Sequence, residues 1–343
     1  MKRLILDLIE IVPATALPGA IITLQCRNLS ASIMPQVWFG DRPVFAQSAS
    51  SERVLVAVPA GVSTCDVSLE SHGKRSAALT LVIGDEVASG LHPVASPVVD
   101  SSGFIYTTLS GQRGESVPFS VFRITPYGQK EPYLAEIINP TGLAFGPDRQ
   151  LYVSSRYTGA IYRITAEREI EKFAEGAGIT TGIAFDSKGT LFAGDRSGFV
   201  YRFDESGAHS VVCELEPSIS AYHLAVDDHD NLLVSGPTLS AQDSIYRVSP
   251  SGKVSDYYHG FGRPQGLAFR DGRLYVAASF RGRKGVFRIG PPDQRVEYIA
   301  AGPMLVGIAF GPSGEMILAD NSSIYRLSSG QWSVAGGISE LRA

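Results

Sequence analysis

One stretch recurs along this chain and limits what the chain can fold into; residues 140–164 are its clearest copy. A short apolar run (GLAF) is followed by a polar turn (GPDRQ), a second apolar run (LYVSS), a loop and a third apolar run (IYRI). The first run returns as GIAF, HLAV, GLAF and GIAF, at intervals of 40 to 43 residues. Units this short cannot bury their own apolar faces, so the copies must pack against one another.

The third run is the sharper marker, because it returns six times with arginine in third place. Its copies are VFRI at Val121, IYRI at Ile161, VYRF at Val200, IYRV at Ile245, VFRI at Val286 and IYRL at Ile324. Six short-stranded copies at a period near 40 residues predict an all-β, six-bladed β-propeller. We expect the six arginines to be structural. An unpaired buried charge is costly, so each must pair with an acid or extend to the rim.

Residues 1–84 carry a different pattern. Five stretches alternate apolar and polar residues, with turn residues between them: AIITLQCRNL, PQVWFGDRPV, RVLVAVPAG, CDVSLESHG and AALTLVIG. Short alternating runs separated by Gly, Pro, Asn or Asp predict a β-sandwich. We therefore expect two domains, a small sandwich over residues 1–84 and the propeller over residues 85–343.

The N-terminal residues also resemble a known family. The runs PxxALPGxxITLxCxNL, VWFGDRPV, VAVPAGV and VSLESHGKRSAALTLVI are similar to an IPT/TIG domain, and they cover nearly the whole segment. Cys26 stands where that family usually has glycine. The resemblance implies an immunoglobulin-like sandwich that serves as a spacer or a protein-contact module, and it implies no reaction.

The segment that joins the two parts, IGDEVASGLHP, is similar to the segments that end each repeat. A propeller must join its first and last blades, or open strand edges remain. We expect DEVASGLHP to supply the outer strand of the last blade. The competing candidate for that strand is QWSVAGG, near residue 331.

Composition and charge limit the partners. The formal net charge of −4 gives no overall reason to expect nucleic acid or an anionic membrane. No apolar run reaches the roughly 20 residues that span a bilayer. Asp7 and Glu10 interrupt the apolar start of the sequence, so we expect no secretory signal.

Cysteine usage bears on the compartment. Three cysteines are sparse and suit a reducing compartment, so we expect a cytoplasmic protein. Cys26 and Cys65 could pair, or could be two small buried residues.

Residues 93–339 resemble the NHL-repeat and senescence-marker/gluconolactonase propellers, through the pattern PxGLAFxxxGxLYVxxxxxxxIYRI. The gluconolactonase branch holds one divalent metal, usually calcium or zinc, on a Glu, two Asn and an Asp at the starts of inner strands. The matching positions here are Ala95, Thr141, Thr181, Tyr222, Gln265 and Val306. None is a carboxylate, whereas a hard cation takes several oxygen ligands. We therefore expect no metal cofactor; a divalent metal such as calcium is the alternative, and the ligand positions do not support it.

Two loops between second and third strands are enlarged, residues 110–118 and 237–243. In a propeller such loops share a face with the connections that enter the inner strands. We call this the axial face and expect it to be the working surface.

His223 replaces the glycine found at the same axial position in four other repeats. It is our candidate catalytic residue, as a general base or as a donor to an anion; the alternative is that it fills axial space. Asp195 and Asp320, at the ends of second strands, are the carboxylates expected to point towards this face.

Arginines concentrate in the loops assigned to the axial face. The proposed ligand-binding set is Arg156, Arg196, Arg263, Arg281, Tyr222, Gln265, Asp195 and Asp320, with Arg283 and Tyr157 nearby. Guanidinium groups suit carboxylate or phosphate, so the set predicts a small anionic molecule or an acidic segment of a protein partner. The alternative is a group of unrelated surface arginines. Nucleic acid is not expected, since it needs a longer basic stripe with stacking aromatics.

Three functions remain open at this point. The preferred one is a recognition protein that binds an anion on the axial face. A hydrolase or lyase of lactone-like or sugar-derived substrates is the second, from the propeller resemblance and His223. A scaffold in a protein assembly is the third, from the IPT/TIG resemblance.

Overall fold

The computed structural model describes residues 6–30, 32–290 and 295–332. Over these ranges the chain is all-β, apart from one short helix, α1 (Ser329–Trp332). No helix in the described residues has the length and apolar character needed to cross a bilayer.

The N-terminal region contains two sheets. Its strands are β1 (Asp7–Val12), β2 (Thr15–Ala16), β3 (Ile21–Arg27), β4 (Gln36–Phe39), β5 (Arg42–Phe45), β6 (Ser48–Ala49), β7 (Arg53–Ala57), β8 (Cys65–Ser71), β9 (Lys74–Arg75) and β10 (Leu79–Ile83). One sheet has the order β1-β3-β7-β6, and the other has the order β2-β10-β8-β4-β5, with β9 on β8. Buried and exposed residues alternate along β7, as the sequence pattern predicts.

The other strands form six four-stranded blades. They are β11 (Asp85–Ala88), β12 (Val98–Val99), β13 (Ile105–Thr108), β14 (Val121–Ile124), β15 (Lys130–Leu134), β16 (Pro140–Phe145), β17 (Leu151–Ser155), β18 (Ile161–Ile164), β19 (Ile170–Ala174), β20 (Thr180–Phe185), β21 (Leu191–Asp195), β22 (Phe199–Phe203), β23 (His209–Glu214), β24 (His223–Val226), β25 (Leu232–Ser235), β26 (Asp243–Val248), β27 (Val254–Phe261), β28 (Leu267–Arg270), β29 (Arg273–Phe280), β30 (Arg283–Gly290), β31 (Arg295–Ala301), β32 (Gly307–Phe310), β33 (Met316–Ala319) and β34 (Ile324–Leu327). Blades one to five use consecutive strands from β12 to β31, and blade six uses β32 to β34. The predicted six-bladed β-propeller is confirmed.

The inner strands β12, β16, β20, β24, β28 and β32 contact one another in a closed ring. Glycines allow the close approach. A Cβ on Gly142 would lie 2.4 Å from the Thr181 carbonyl oxygen, and one on Gly182 would lie 2.3 Å from that of Tyr222. The recurring glycine therefore follows from the crowding of inner strands at the axis.

Ring closure comes from the N-terminal side. Strand β11 pairs antiparallel with β34, with Asp85 opposite Arg326 and Ala88 opposite Ile324. This confirms the expectation for DEVASGLHP. Of the competing run QWSVAGG, only Gln331 and Trp332 belong to the described residues; the rest lies outside them.

The N-terminal region and blade five share one sheet, which the sequence pattern did not predict. Strand β2 lies between β10 and β31 and runs parallel to both. The Leu17 amide donates to the Ala301 carbonyl at 2.8 Å. A Cβ on Gly84 would lie 2.5 Å from Leu17 Cδ2, so the junction is tightly packed. The N-terminal region is therefore an integral continuation of blade five.

The repeated arginines are held by partners, as expected of a structural set. Four pair with acids: Arg123 with Glu131, Arg163 with Glu171, Arg247 with Asp227 and Arg288 with Glu297. Arg202 donates to the Ser210 hydroxyl, and Arg326 donates to the Pro126 carbonyl. In each blade a side chain or a carbonyl of a neighbouring segment receives the guanidinium.

The three cysteines are unpaired, and Cys26 and Cys65 form no disulfide. Burial raises the pKa of Cys26 and Cys65, and it raises the pKa of Cys213 to about 11. All three are therefore neutral thiols near pH 7.

Candidate functional site

The axial face is formed by the loops that enter the inner strands and by the loops between second and third strands. At its centre, the side chains that begin the inner strands are neutral and mostly buried. The Thr141 hydroxyl donates to the Asn139 carbonyl at 3.3 Å, and the Thr181 hydroxyl donates to the Gly194 carbonyl at 3.0 Å. These hydroxyls are thus used to hold the backbone of the ring.

Tyr222 lies in the core instead of on the axial face. It is 1% exposed, and its hydroxyl donates to the Glu216 carbonyl. Gly194 and Gly236 make room for this side chain, since a Cβ on Gly194 would lie 2.8 Å from the Tyr222 Cβ and one on Gly236 would lie 2.7 Å from its ring. Burial raises the pKa of Tyr222. The side chain packs blades three and four together and does not reach the surface where a ligand would bind.

His223 begins β24 and is 3% exposed. Its Nε2 has no hydrogen-bond partner among the described residues. Burial lowers its pKa to about 4, so the imidazole is neutral at pH 7. The facing residue, Ser235, donates its hydroxyl to the Gln265 carbonyl at 2.7 Å. His223 therefore fills the axial space with a neutral side chain, and its exposure to a ligand is small.

Asp195 and Asp320 are turned inward and stabilise loops. Asp195 accepts a hydrogen bond from the Ile179 amide at 2.8 Å. Asp320 accepts hydrogen bonds from the amides of Ser322 and Ser323, and from the Tyr325 hydroxyl at 3.2 Å. The two acids belong to blades three and six, on opposite sides of the ring, and the structure does not bring them together.

No group of three or more His, Cys, Asp or Glu side chains is arranged to hold a metal ion within the part of the chain that the structure describes. Gln265, the one amide at an inner-strand start, is half-buried on blade five.

Arg156 and Arg196 are brought together. They follow β17 and β21, at equivalent positions of adjacent blades. Arg156 donates to the Ser110 hydroxyl at 3.1 Å, and Arg196 donates to the Ile219 carbonyl at 3.0 Å. Neither forms an ion pair with a described residue. Burial lowers the pKa of Arg156, and the charge of Arg196 lowers it further. Two neighbouring half-buried guanidinium groups without a paired carboxylate have the chemistry that suits an anion.

Asn139, which the sequence reasoning missed, holds the enlarged loop of blade one beside Arg156. Its Nδ2 donates to the carbonyls of Gly111 and Gln112, each at 2.9 Å, and its Oδ1 accepts from the Gly114 amide at 2.7 Å. Its φ of 47° lies in the left-handed region that asparagine tolerates. The sequence carried a signal for a turn at this residue, because an asparagine directly before a proline, here Pro140, favours a turn.

Arg263 and Arg281 lie on blade five, across the ring from blade two. Both are exposed and occupy turns, with φ of 49° and 48°. The Arg281 guanidinium lies 5.3 Å from the centre of the Phe280 ring. The predicted arginine set is therefore divided in two, with Arg156 and Arg196 in one group and the blade-five arginines in the other.

Between described residues, cavities of about 600, 510 and 500 Å³ open on the face opposite the axial face. The cavity of about 600 Å³ lies between blades one and two and is lined by the repeated polar turns. Two of its acids are engaged locally: Asp100 accepts from the Tyr106 hydroxyl and Asp148 from the Tyr152 hydroxyl, each at 3.2 Å. These grooves repeat with the blades and follow from the architecture.

The fold is shared with solved structures. An auxiliary nutrient binding protein from Bacteroides ovatus has a TM-score of 0.54 and 13% identity, over 95% of this chain and 98% of its own. A catalytically inactive virginiamycin B lyase from Staphylococcus aureus with quinupristin has a TM-score of 0.52 and 15% identity, over 90% and 99%. A gluconolactonase from Xanthomonas campestris has a TM-score of 0.50 and 14% identity, over 71% and 85%.

No family model matches the chain, and no curated protein matches it either. Identities this low establish the shared fold alone. The likeness to the nutrient binding protein covers both the N-terminal region and the propeller, because 95% of the chain takes part.

Proposed function

We propose that this protein binds a small anionic molecule on its axial face, between Arg156 and Arg196. The observation that carries the proposal is Arg156, a half-buried guanidinium whose pKa is lowered by burial and by Arg196, with no carboxylate paired to it among the described residues. A bound carboxylate would restore the pairing that burial requires, and a guanidinium fork binds it through two hydrogen bonds.

The surroundings support a small ligand. The loop held by Asn139 borders Arg156, and Ser110 on that loop already accepts a hydrogen bond from it. Tyr157 is half-exposed and lies against Gly114 of the same loop, where a Cβ would be 3.0 Å from its ring. An aromatic edge beside two cations suits a sugar acid or a similar organic anion. One solved structure of the same fold is named an auxiliary nutrient binding protein, and a binding role is consistent with this proposal.

The test is calorimetric titration of the full chain with a panel of sugar acids and short acidic peptides. We expect one class to bind, and Arg156→Gln and Arg196→Gln each to weaken its affinity at least about tenfold, since a charge-assisted hydrogen bond contributes roughly 1.5–3 kcal/mol. Arg149→Gln is the matched control, because Arg149 is exposed in a turn on the opposite face. Equal affinities in all three variants would reject the site.

A second candidate is a lyase or a lactone hydrolase with His223 as general base. The observation that favours it is the imidazole itself, neutral at pH 7 with Nε2 unpartnered in the described structure. Virginiamycin B lyase and a gluconolactonase share the fold. A lactone panel with and without calcium, run on the native chain and on His223→Gln, tests it. Turnover that depends on His223 would favour catalysis over binding alone.

A third candidate is a scaffold role for the N-terminal region, which we propose to be an immunoglobulin-like domain of the IPT/TIG type, with NHL-type repeats following. Phe45 on the edge strand β5 is 69% exposed, and Ile33 nearby in sequence is also exposed. A stoichiometric protein partner that is lost on Phe45→Ser would support the scaffold role.

We also propose a cytoplasmic location, with which the three unpaired cysteines agree. Cell fractionation tests this location.

A further inference from the structure

The axial loops around Arg196 are joined into one continuous tract. The Arg196 backbone amide donates to the Ile179 carbonyl at 3.4 Å, and its guanidinium donates to the Ile219 carbonyl at 3.0 Å. The Ile219 amide donates in turn to the Pro237 carbonyl at 2.9 Å, where the enlarged loop of blade four begins. Arg196 therefore lies between the loop that enters blade three and the loop that enters blade four.

The turn that carries Arg156 packs against the same tract. The Thr180 hydroxyl donates to the Gly159 carbonyl at 3.0 Å, and a Cβ on Gly159 would lie 2.3 Å from the Gly178 carbonyl oxygen. The turn after β17 is thus in direct contact with the residues on either side of Ile179. The tract extends without a break from blade two to blade four.

Four large apolar side chains are exposed along this tract. They are Tyr157 (51% exposed), Ile179 (38%), Ile219 (42%) and Leu239 (92%). Apolar residues that are exposed singly need no explanation, whereas a contiguous group indicates a binding surface. Tyr157 directly follows Arg156, and the two isoleucines supply the carbonyls that Arg196 contacts. The apolar surface therefore lies beside the two guanidinium groups.

We propose that the axial ligand is an amphiphilic carboxylate, a small organic acid whose apolar chain lies along Ile219 and Leu239. This inference rests on the proposed function, because the acid group occupies the site between Arg156 and Arg196. A guanidinium fork binds the carboxylate, and the chain removes apolar side chains from water. Four partly exposed side chains offer less area than the roughly 800 Å² that each partner of a stable protein complex buries, so the tract favours a small molecule.

The experiment is calorimetric titration of the full chain with acetate, butanoate, hexanoate and octanoate, and with gluconate as a hydrophilic acid. We expect the affinity to rise about threefold for each methylene that the tract covers, because each buried CH₂ group leaves water. Ile219→Ser and Leu239→Ser should each weaken octanoate binding by about threefold or more, and should weaken gluconate binding less. Arg156→Gln should weaken the binding of both acids.

Val211→Ser is the matched control and should keep the native affinity for octanoate. Val211 is 54% exposed on β23, the outer strand of blade three, and lies outside the axial loops. The substituted apolar residues are all exposed, and circular dichroism checks that each variant is folded.

The outcomes separate this inference from the proposed function. Octanoate that binds no more tightly than gluconate overturns the amphiphilic ligand, and so does full octanoate affinity in the combined Ile219→Ser and Leu239→Ser variant. Octanoate binding that survives Arg156→Gln also overturns it. In each case gluconate binding that depends on Arg156 leaves the proposed function standing. If neither acid binds in an Arg156-dependent way, both the inference and the proposed function are rejected.

Discussion

At the scale of single residues, His223 links stability to pH. Its pKa falls from 6.5 in the unfolded chain to about 4 in the folded one, because burial disfavours the charged imidazole. Between these values the unfolded chain binds the extra proton, so stability decreases as the pH is lowered from 6.5 to 4. The shift corresponds to ~3 kcal/mol.

We expect His223→Gln to remove that part of the acid sensitivity. Urea unfolding from pH 7 to pH 4 should give a shallower loss of free energy in the variant than in the native chain. The carboxylates titrate alike in both chains and cancel in the difference. Parallel curves would mean that His223 is solvated in the folded protein.

Asn139 is a second residue whose role is local and specific. Asn139→Leu keeps the size but leaves the Gly114 amide and two loop carbonyls without their partner. We expect a loss of about 2 kcal/mol in the free energy of unfolding, and a looser loop beside Arg156. Faster amide hydrogen exchange at Gly114 measures the loosening directly; unchanged exchange would contradict the anchoring role.

At the scale of elements, the repeated arginine–glutamate pairs differ in burial. This difference predicts how much each pair contributes to the free energy of unfolding. Glu297 has a side chain only 8% exposed and contacts both Arg288 and Arg273, whereas Glu171, paired with Arg163, is 44% exposed. Breaking a buried pair leaves an uncompensated charge, and an exposed pair is screened by water.

We therefore expect Glu297→Ala to lower the free energy of unfolding by ~3 kcal/mol, and Glu171→Ala to lower it by less than about 1 kcal/mol. The two glutamates occupy the same strand position in different blades, facing Arg288 and Arg163. Chemical denaturation of the pair measures the contrast. Similar losses would show that burial does not set the strength of these pairs.

At the scale of the whole molecule, closure of the ring depends on β11. A chain of residues 85–343 keeps the β11–β34 pairing but loses β2 beside β31, and a chain of residues 91–343 loses both. We expect the shorter chain to melt roughly 5 °C or more below the longer one, because β34 is left as an open edge. Differential scanning calorimetry of both chains tests this. Equal melting temperatures would argue that β11 contributes little to closure.

The propeller and its closure could be predicted because their signals are local. Short alternating runs, turn residues and the recurring glycine before the inner strands each depend on a few neighbouring residues. The similarity of DEVASGLHP to the ends of the repeats was sufficient to place β11. The acid partners of the repeated arginines were likewise expected, since a buried charge requires one.

The candidate site was less predictable, because a loop position does not determine where a side chain points. Three of the predicted site residues have side chains that are turned inward: Asp195, Asp320 and Tyr222. The two acids accept hydrogen bonds from backbone amides, and Tyr222 fills the gap beside two glycines. The arginine set was divided because blades two and five lie on opposite sides of the ring.

The order of residues was enough to predict an all-β chain of six repeated units that closes from the N-terminal side, because the repeat period and the turn residues act within single units. The folded molecule was needed to see that blade five continues into the N-terminal sheet and that Arg156 lies near Arg196. These contacts join residues distant in the chain, and their geometry arises when the ring closes and the N-terminal region packs against blade five.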